Sequence, residues 1–171
     1  RYVDDINRPG QAHAIFVRSP HAHANLKSVD TKSALASPGV LAVFTGADLD
    51  ADGVGPLPCG WVITQTNGEI WNAPPHPVIA SEKVRYVGDQ IAVVIAEAES
   101  AARAACDCID VGWEELPVLT NIDDALRGET LLHPEDPTVG NAYEHVKIRK
   151  GSDTIDWSAA DVVVDGRYTL P

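Results

Sequence analysis

Arg18-Ser-Pro-His-Ala-His-Ala-Asn-Leu-Lys-Ser-Val-Asp30 is the stretch on which the reading of this 171-residue chain turns. His21 and His23 are two apart, so on an extended strand both imidazoles would leave the same face. That spacing would suit two ligands of a transition metal, which takes three or four nitrogen, sulfur or carboxylate donors. No third ligand stands close by, and Ser19-Pro20 is a turn signal. The pair therefore reads as part of a turn between two strands, residues 12–18 and 24–29.

Around that turn the chain has the composition of a globular domain. Apolar residues make up 44% and charged residues 22%, ordinary for a folded core, and a chain of this length buries about 70% of its unfolded surface. The longest apolar run, residues 91–96, falls far short of the roughly 20 needed for a membrane span. Thirteen basic residues against 25 acidic ones leave a net charge of −12, which repels nucleic-acid phosphates and anionic lipid. No nucleic-acid or membrane partner is expected. Three cysteines, Cys59, Cys106 and Cys108, make no disulfide framework and fit a reducing compartment. Cys106 is expected as a small buried hydrophobe.

Downstream, residues 31–37 read as a short helix with Thr31 as N-cap, stopped by Pro38-Gly39. Residues 40–45 are a continuous apolar run, the pattern of a buried strand. Glycines and prolines from 50 to 77 exclude long regular elements, and Trp61 and Trp71 fall in this loop. Residues 84–87 alternate as a half-buried strand, Gly88 marks a bend, and 90–96 reads as a central strand. Ala98, Ala101, Ala102, Ala105 and Ile109 recur at helical spacing, with no good N-cap. Residues 110–116 form the next strand, and a right-handed crossover follows if it lies parallel to 90–96 in one sheet. A short helix at 122–127, a strand at 145–150, a short helix at 152–160 and a last strand carrying Val162, Val164 and Tyr168 complete the reading. There is no internal repeat and no clear linker, so residues 1–171 are expected to be one domain.

The inventory of chemistry-bearing motifs is empty. Asp48-x-Asp50-x-Asp52-Gly53 copies the first half of a calcium loop, but the twelfth position, which needs a bidentate Glu, is Cys59. Glu114-Glu115 and Asp123-Asp124 are neighbours that point apart, not facing carboxylates. His13, His76, His133 and His145 stand beside no nucleophile motif, and no phosphate loop, zinc-protease or dinucleotide fingerprint is present. No catalytic, cofactor-binding or metal-binding residue is assigned.

The blocks Arg1-Tyr-Val-Asp-Asp-Ile6, Arg18 to Asp30, Pro38-Gly-Val-Leu-Ala-Val-Phe-Thr-Gly-Ala-Asp-Leu49, Lys83-Val-Arg-Tyr-Val-Gly-Asp-Gln-Ile-Ala-Val-Val-Ile-Ala-Glu97, Asp110-Val-Gly-Trp-Glu-Glu-Leu-Pro117 and Asp161-Val-Val-Val-Asp-Gly-Arg-Tyr168 follow one another in a telling order. Together they resemble the beginning of the molybdenum-carrying large subunit of the xanthine dehydrogenase, aldehyde oxidase and carbon monoxide dehydrogenase family. The resemblance implies an α+β fold, the α/β hammerhead, with mixed sheet strands and a few short helices. It implies an oxidoreductase that hydroxylates an aldehyde, purine or N-heterocycle, or oxidises carbon monoxide, with water as oxygen source. Molybdopterin would sit on later domains of the subunit, with 2Fe-2S clusters and FAD on partner domains or subunits, in a cytoplasmic oligomer of multi-subunit units. The domain itself would be structural. The chain lacks methionine and starts inside the first block, so it is expected to be a piece of a longer protein. A stand-alone binding or assembly module is the other reading. Many relatives carry Gly-Glu-Pro where this chain has Gly88-Asp89-Gln90, and the missing proline is expected to loosen the bend slightly.

Overall fold

A computed structural model describes residues 2, 5–60, 64, 68, 70, 74–135, 140–142, 150, 151, 154, 156–166 and 168. Two three-stranded sheets organise it, and every ladder in them is antiparallel. The first has the order β1 (His13–Arg18), β5 (Gln90–Ala96), β3 (Val40–Thr45). The second has the order β4 (Lys83–Val84), β2 (Ala24–Asp30), β6 (Asp110–Glu115). The expected α+β class holds, and the mixed pairing resolves into purely antiparallel sheets. β5 and β6 belong to different sheets, so the conditional crossover does not arise.

Helices α1 (Lys32–Leu35) and α3 (Glu99–Cys106) cover one face of the first sheet. The cross-strand row Ile15, Val94 and Val43 meets Ala34, Ala102 and Ala105 there, and Val94 and the three alanines are all fully buried or nearly so. Alanine at these helix positions lets the helix backbone sit close to the strands, as its small-residue spacing predicts. No side chain caps α3, and Ala98 occupies its N-cap. Cys106 is half-buried against this core, and burial pushes its thiol pKa up.

A second apolar cluster joins the sheets. Ala24, Ala80, Val84 and Ile91 are buried in it, with Val17, Leu26, Val111 and Trp113 packed around them. Gly46, which opens helix α2 (Gly46–Ala51), sits against this junction; a Cβ there would lie 2.6 Å from the Ala80 carbonyl oxygen. Backbone cannot yield to such a contact, so glycine is required.

Four local expectations change. The acidic run, expected as a surface loop, lies in helix α2: Asp48 accepts hydrogen bonds from the Thr45 backbone N–H and hydroxyl, each at 2.7 Å. Its carboxylate thereby closes the N-terminal end of α2, a helix with too few apolar residues for periodicity to reveal. Thr31 makes no capping bond; Asp30 instead accepts from the Lys32 N–H at 3.0 Å. The strand expected at 84–87 stops at Val84 because the Asp89 carboxylate draws in the Arg85 N–H at 3.2 Å and turns the chain. No strand forms at 161–166, where Val162 and Val164 are mostly exposed and no described strand supplies a ladder. The strand expected at 145–150 lies almost wholly outside the described residues, as do Trp61 and Trp71. Of the helix expected at 152–160, the described part is one 3-10 turn, Trp157–Ala159, capped by Asp156. Helix α4 (Ile122–Arg127) forms where periodicity places it, between an Asn121 cap and left-handed Gly128.

Candidate functional site

The turn at residues 19–23 carries the chain from the first sheet to the second, and its side chains explain how. Ser19 is buried and its hydroxyl donates to the His21 carbonyl at 2.7 Å while accepting from the His21 N–H at 3.0 Å. Its backbone clasps the bend at Gly88: Ser19 N–H donates to the Asp89 carbonyl at 2.8 Å, and Gly88 N–H donates to the Ser19 carbonyl at 2.9 Å. Gly88 adopts φ 97°, a left-handed conformation natural to glycine. The bend that Gly88 signals in the sequence is present.

The two histidines then part. The His21 ring lies 4.8 Å from the Trp113 ring, with Nδ1 3.7 Å from Glu115. His23 is buried, and its Nδ1 lies 2.8 Å from the Pro117 carbonyl. A carbonyl only accepts, so Nδ1 carries the proton and ties β2 to the segment after β6. The rings serve different partners, and their job is to hold the sheets' junction.

Beside this junction lies a cavity of about 200 Å3, lined by His76, Lys83, Arg85, Tyr86, Asp89, His133 and four small or proline residues. Arg85 donates from Nε to the Leu132 carbonyl at 3.0 Å and from Nη2 to Glu135 at 2.9 Å. The same Glu135 oxygen is 2.8 Å from His133 Nδ1. Burial opposes the charge on Glu135, but its own backbone N–H, His133 and Arg85 together hold its pKa below the usual range. Burial and the neighbouring Asp89 push the Tyr86 phenol up. Partners 47 and 50 positions apart make this clasp, and no local motif foretells it.

Chemically the clasp is closed. Arg85 is already engaged, and among the described residues no nucleophile faces a base. The cavity is smaller than the 300 Å3 or so at which small-molecule pockets begin, and the hollow of about 310 Å3 on the other side of Lys83 and Arg85 only just reaches it. Among the described residues no three His, Cys, Asp or Glu side chains are placed to hold a metal ion. Glu114 accepts from Asn25 at 2.8 Å and pairs with Lys27 at 2.9 Å, whereas Glu115 faces His21. The Asp124 carboxylate accepts from the Asn121 side-chain amide and pairs with Arg127. Cys108 and Cys59 are exposed.

Known proteins complete the picture. Residues 1–117 match the family described as aldehyde oxidase and xanthine dehydrogenase, a/b hammerhead domain. The chain is 37% identical over 137 residues to the nicotine 6-hydroxylase large subunit of Paenarthrobacter nicotinovorans, covering 80% of this chain and 16% of that one. It is 32% identical to the xanthine dehydrogenase molybdenum-binding subunit of Escherichia coli O157:H7, covering all of this chain and 22% of that one. The quinoline 2-oxidoreductase structure from Pseudomonas putida 86 superposes with a TM-score of 0.66 at 37% identity, over 77% of this chain and 16% of the other. The chain belongs to the aldehyde oxidase and xanthine dehydrogenase hammerhead family. It spans about a fifth or less of the length of these relatives. No helix among the described residues is long and apolar enough to cross a membrane.

Proposed function

We propose that residues 1–171 are the single hammerhead domain of a molybdenum hydroxylase large subunit, and that the domain is structural. The whole enzyme oxidises an aldehyde, purine or N-heterocycle, or carbon monoxide, with water as oxygen source. Later domains of the same subunit hold molybdopterin, and electrons leave through 2Fe-2S clusters and FAD on partner domains or subunits. The assembly is a cytoplasmic oligomer of such multi-subunit units. No residue of this chain is catalytic, and none binds cofactor or metal.

The observation that carries this reading is the family match over residues 1–117 together with the full-length similarity to a subunit named for molybdenum binding. Two features of the fold agree with it. Ser19 and His23 Nδ1 are engaged by backbone carbonyls at the junction, and the Arg85 and Glu135 side chains beside the cavity pair with each other.

An antibody raised against the chain, applied to its native source, tests the proposal. The recognised polypeptide should be several times heavier than 18.3 kDa and should carry molybdenum. A band near that mass without molybdenum would establish a free-standing module and remove the enzyme assignment.

A further inference from the structure

We infer that the open face of the β1-β5-β3 sheet is an internal interface, covered in the complete polypeptide by an apolar surface from its later domains. This rests on the reading of the chain as one part of a longer large subunit.

Two cross-strand rows make the face. Ala14, Ile95 and Ala42 stand in register, and Phe16, Val93 and Phe44 form the next row. All six are apolar. The opposite face is the one that α1 and α3 cover. Phe16 is 41% exposed and Phe44 40%, in rows that hold no polar side chain. An antiparallel sheet that keeps one face in water alternates apolar with polar residues, whereas strands buried on both faces read as unbroken apolar runs. Val40-Leu-Ala-Val-Phe44 and Ile91-Ala-Val-Val-Ile-Ala96 are runs of the second kind, on a sheet covered on one side. A contiguous exposed patch of this sort marks a partner surface.

The covering layer is the same polypeptide for two reasons. The chain accounts for 16% to 22% of the length of the relatives in which this domain occurs, so most of such a subunit remains to pack against it. A second copy is the poorer occupant, because each carries a net charge of −12 and like charge opposes association. The same charge leaves this apolar sheet face, edged by the Arg18 guanidinium 5.9 Å from the Phe16 ring centroid, as the natural contact for a tethered neighbour.

Hydroxyl-radical footprinting of the native, full-length polypeptide tests this, with molybdenum assayed in the same sample. Oxidation at Phe16 and Phe44 should fall about tenfold or more relative to the urea-unfolded polypeptide, and the protection should persist on dilution. Near-unfolded rates in a long, molybdenum-containing polypeptide overturn the inference and leave the hydroxylase reading intact. Protection that vanishes on dilution assigns the face to a separate chain and overturns it too. A short polypeptide without molybdenum removes both.

Discussion

The row Phe16, Val93, Phe44 in the first sheet and the row Lys83, Asn25, Glu114 in the second occupy equivalent places, each crossing three antiparallel strands. One is wholly apolar and the other wholly polar. In the second sheet the residues facing inward, Leu26 and Trp113, pack on the junction core while Lys27 and Glu114 pair at the surface. That sheet presents polar side chains on its outer row. The first sheet has α1 and α3 on one side and apolar side chains on the other, so its sequence is written for two covered faces. Two sheets of equal strand number and the same antiparallel pairing thus differ in what they need from outside the domain.

Substitutions separate the two faces of the first sheet most sharply. Val94→Asp places an unpaired carboxylate at a fully buried position under α3, and should abolish cooperative folding, a cost of about 4 kcal/mol or more. Circular dichroism and thermal unfolding of the purified variant read this directly; a native-like melt would show that the helices do not close that face. Ile91→Ala attacks the junction instead, removing a side chain that is 1% exposed. It should cost about 3 kcal/mol in urea unfolding, and a much smaller loss would mean the sheets do not share that core.

On the open face, Phe44→Asp in the same chain should change stability by about 1 kcal/mol or less, since the ring is 40% exposed. If it matched Val94→Asp, the contrast between the faces would collapse. The smallest effect concerns acid. Asn25, then Lys27, hold the Glu114 pKa down, and the Thr45 side chain, then its backbone, hold Asp48 down. A carboxyl group with a depressed folded pKa adds stability that is present above its unfolded pKa, 4.5 for Glu114 and 3.8 for Asp48. That stability is lost as pH falls through the folded value. Hydrogen exchange followed downward from about pH 5 should therefore loosen β2 and β6, through Glu114, and the β3–α2 corner, through Asp48, before the centre of β5, whose open row holds no ionisable group. Simultaneous loosening of β5 would contradict the assignment.

Much of this architecture is legible in local residue patterns. The Ala98 to Ala105 spacing gives α3, Pro38-Gly39 stops α1, and Gly88 supplies a positive φ at the bend. The elements that escape have identifiable reasons. Helix α2 has an acidic, unpatterned sequence and is specified by Asp48 reaching back to Thr45, a capping signal that the Asp-x-Asp-x-Asp pattern disguises as a calcium loop. The shortened β4 is decided by the Asp89 carboxylate, a side chain acting on backbone four residues away. The clasp of Arg85, His133 and Glu135 joins positions some 50 apart, beyond the reach of any periodic pattern. As for sites, the absence of a recognisable nucleophile, phosphate loop or metal spacing can be read along the chain. Whether scattered His, Asp and Glu converge cannot.

What residues 18–30 determined by themselves is local and chemical: Ser19-Pro20 breaks the strand, the flanking runs are extended, and the ordered blocks place the chain in its family. Tertiary structure alone decided that this turn passes between two sheets, that His23 turns inward to Pro117 while His21 leans its ring against Trp113, and that the described residues leave one apolar sheet face open. The division has a physical cause. Backbone preferences and side-chain periodicity act over a few residues, whereas a face is buried or bare according to which distant elements reach it.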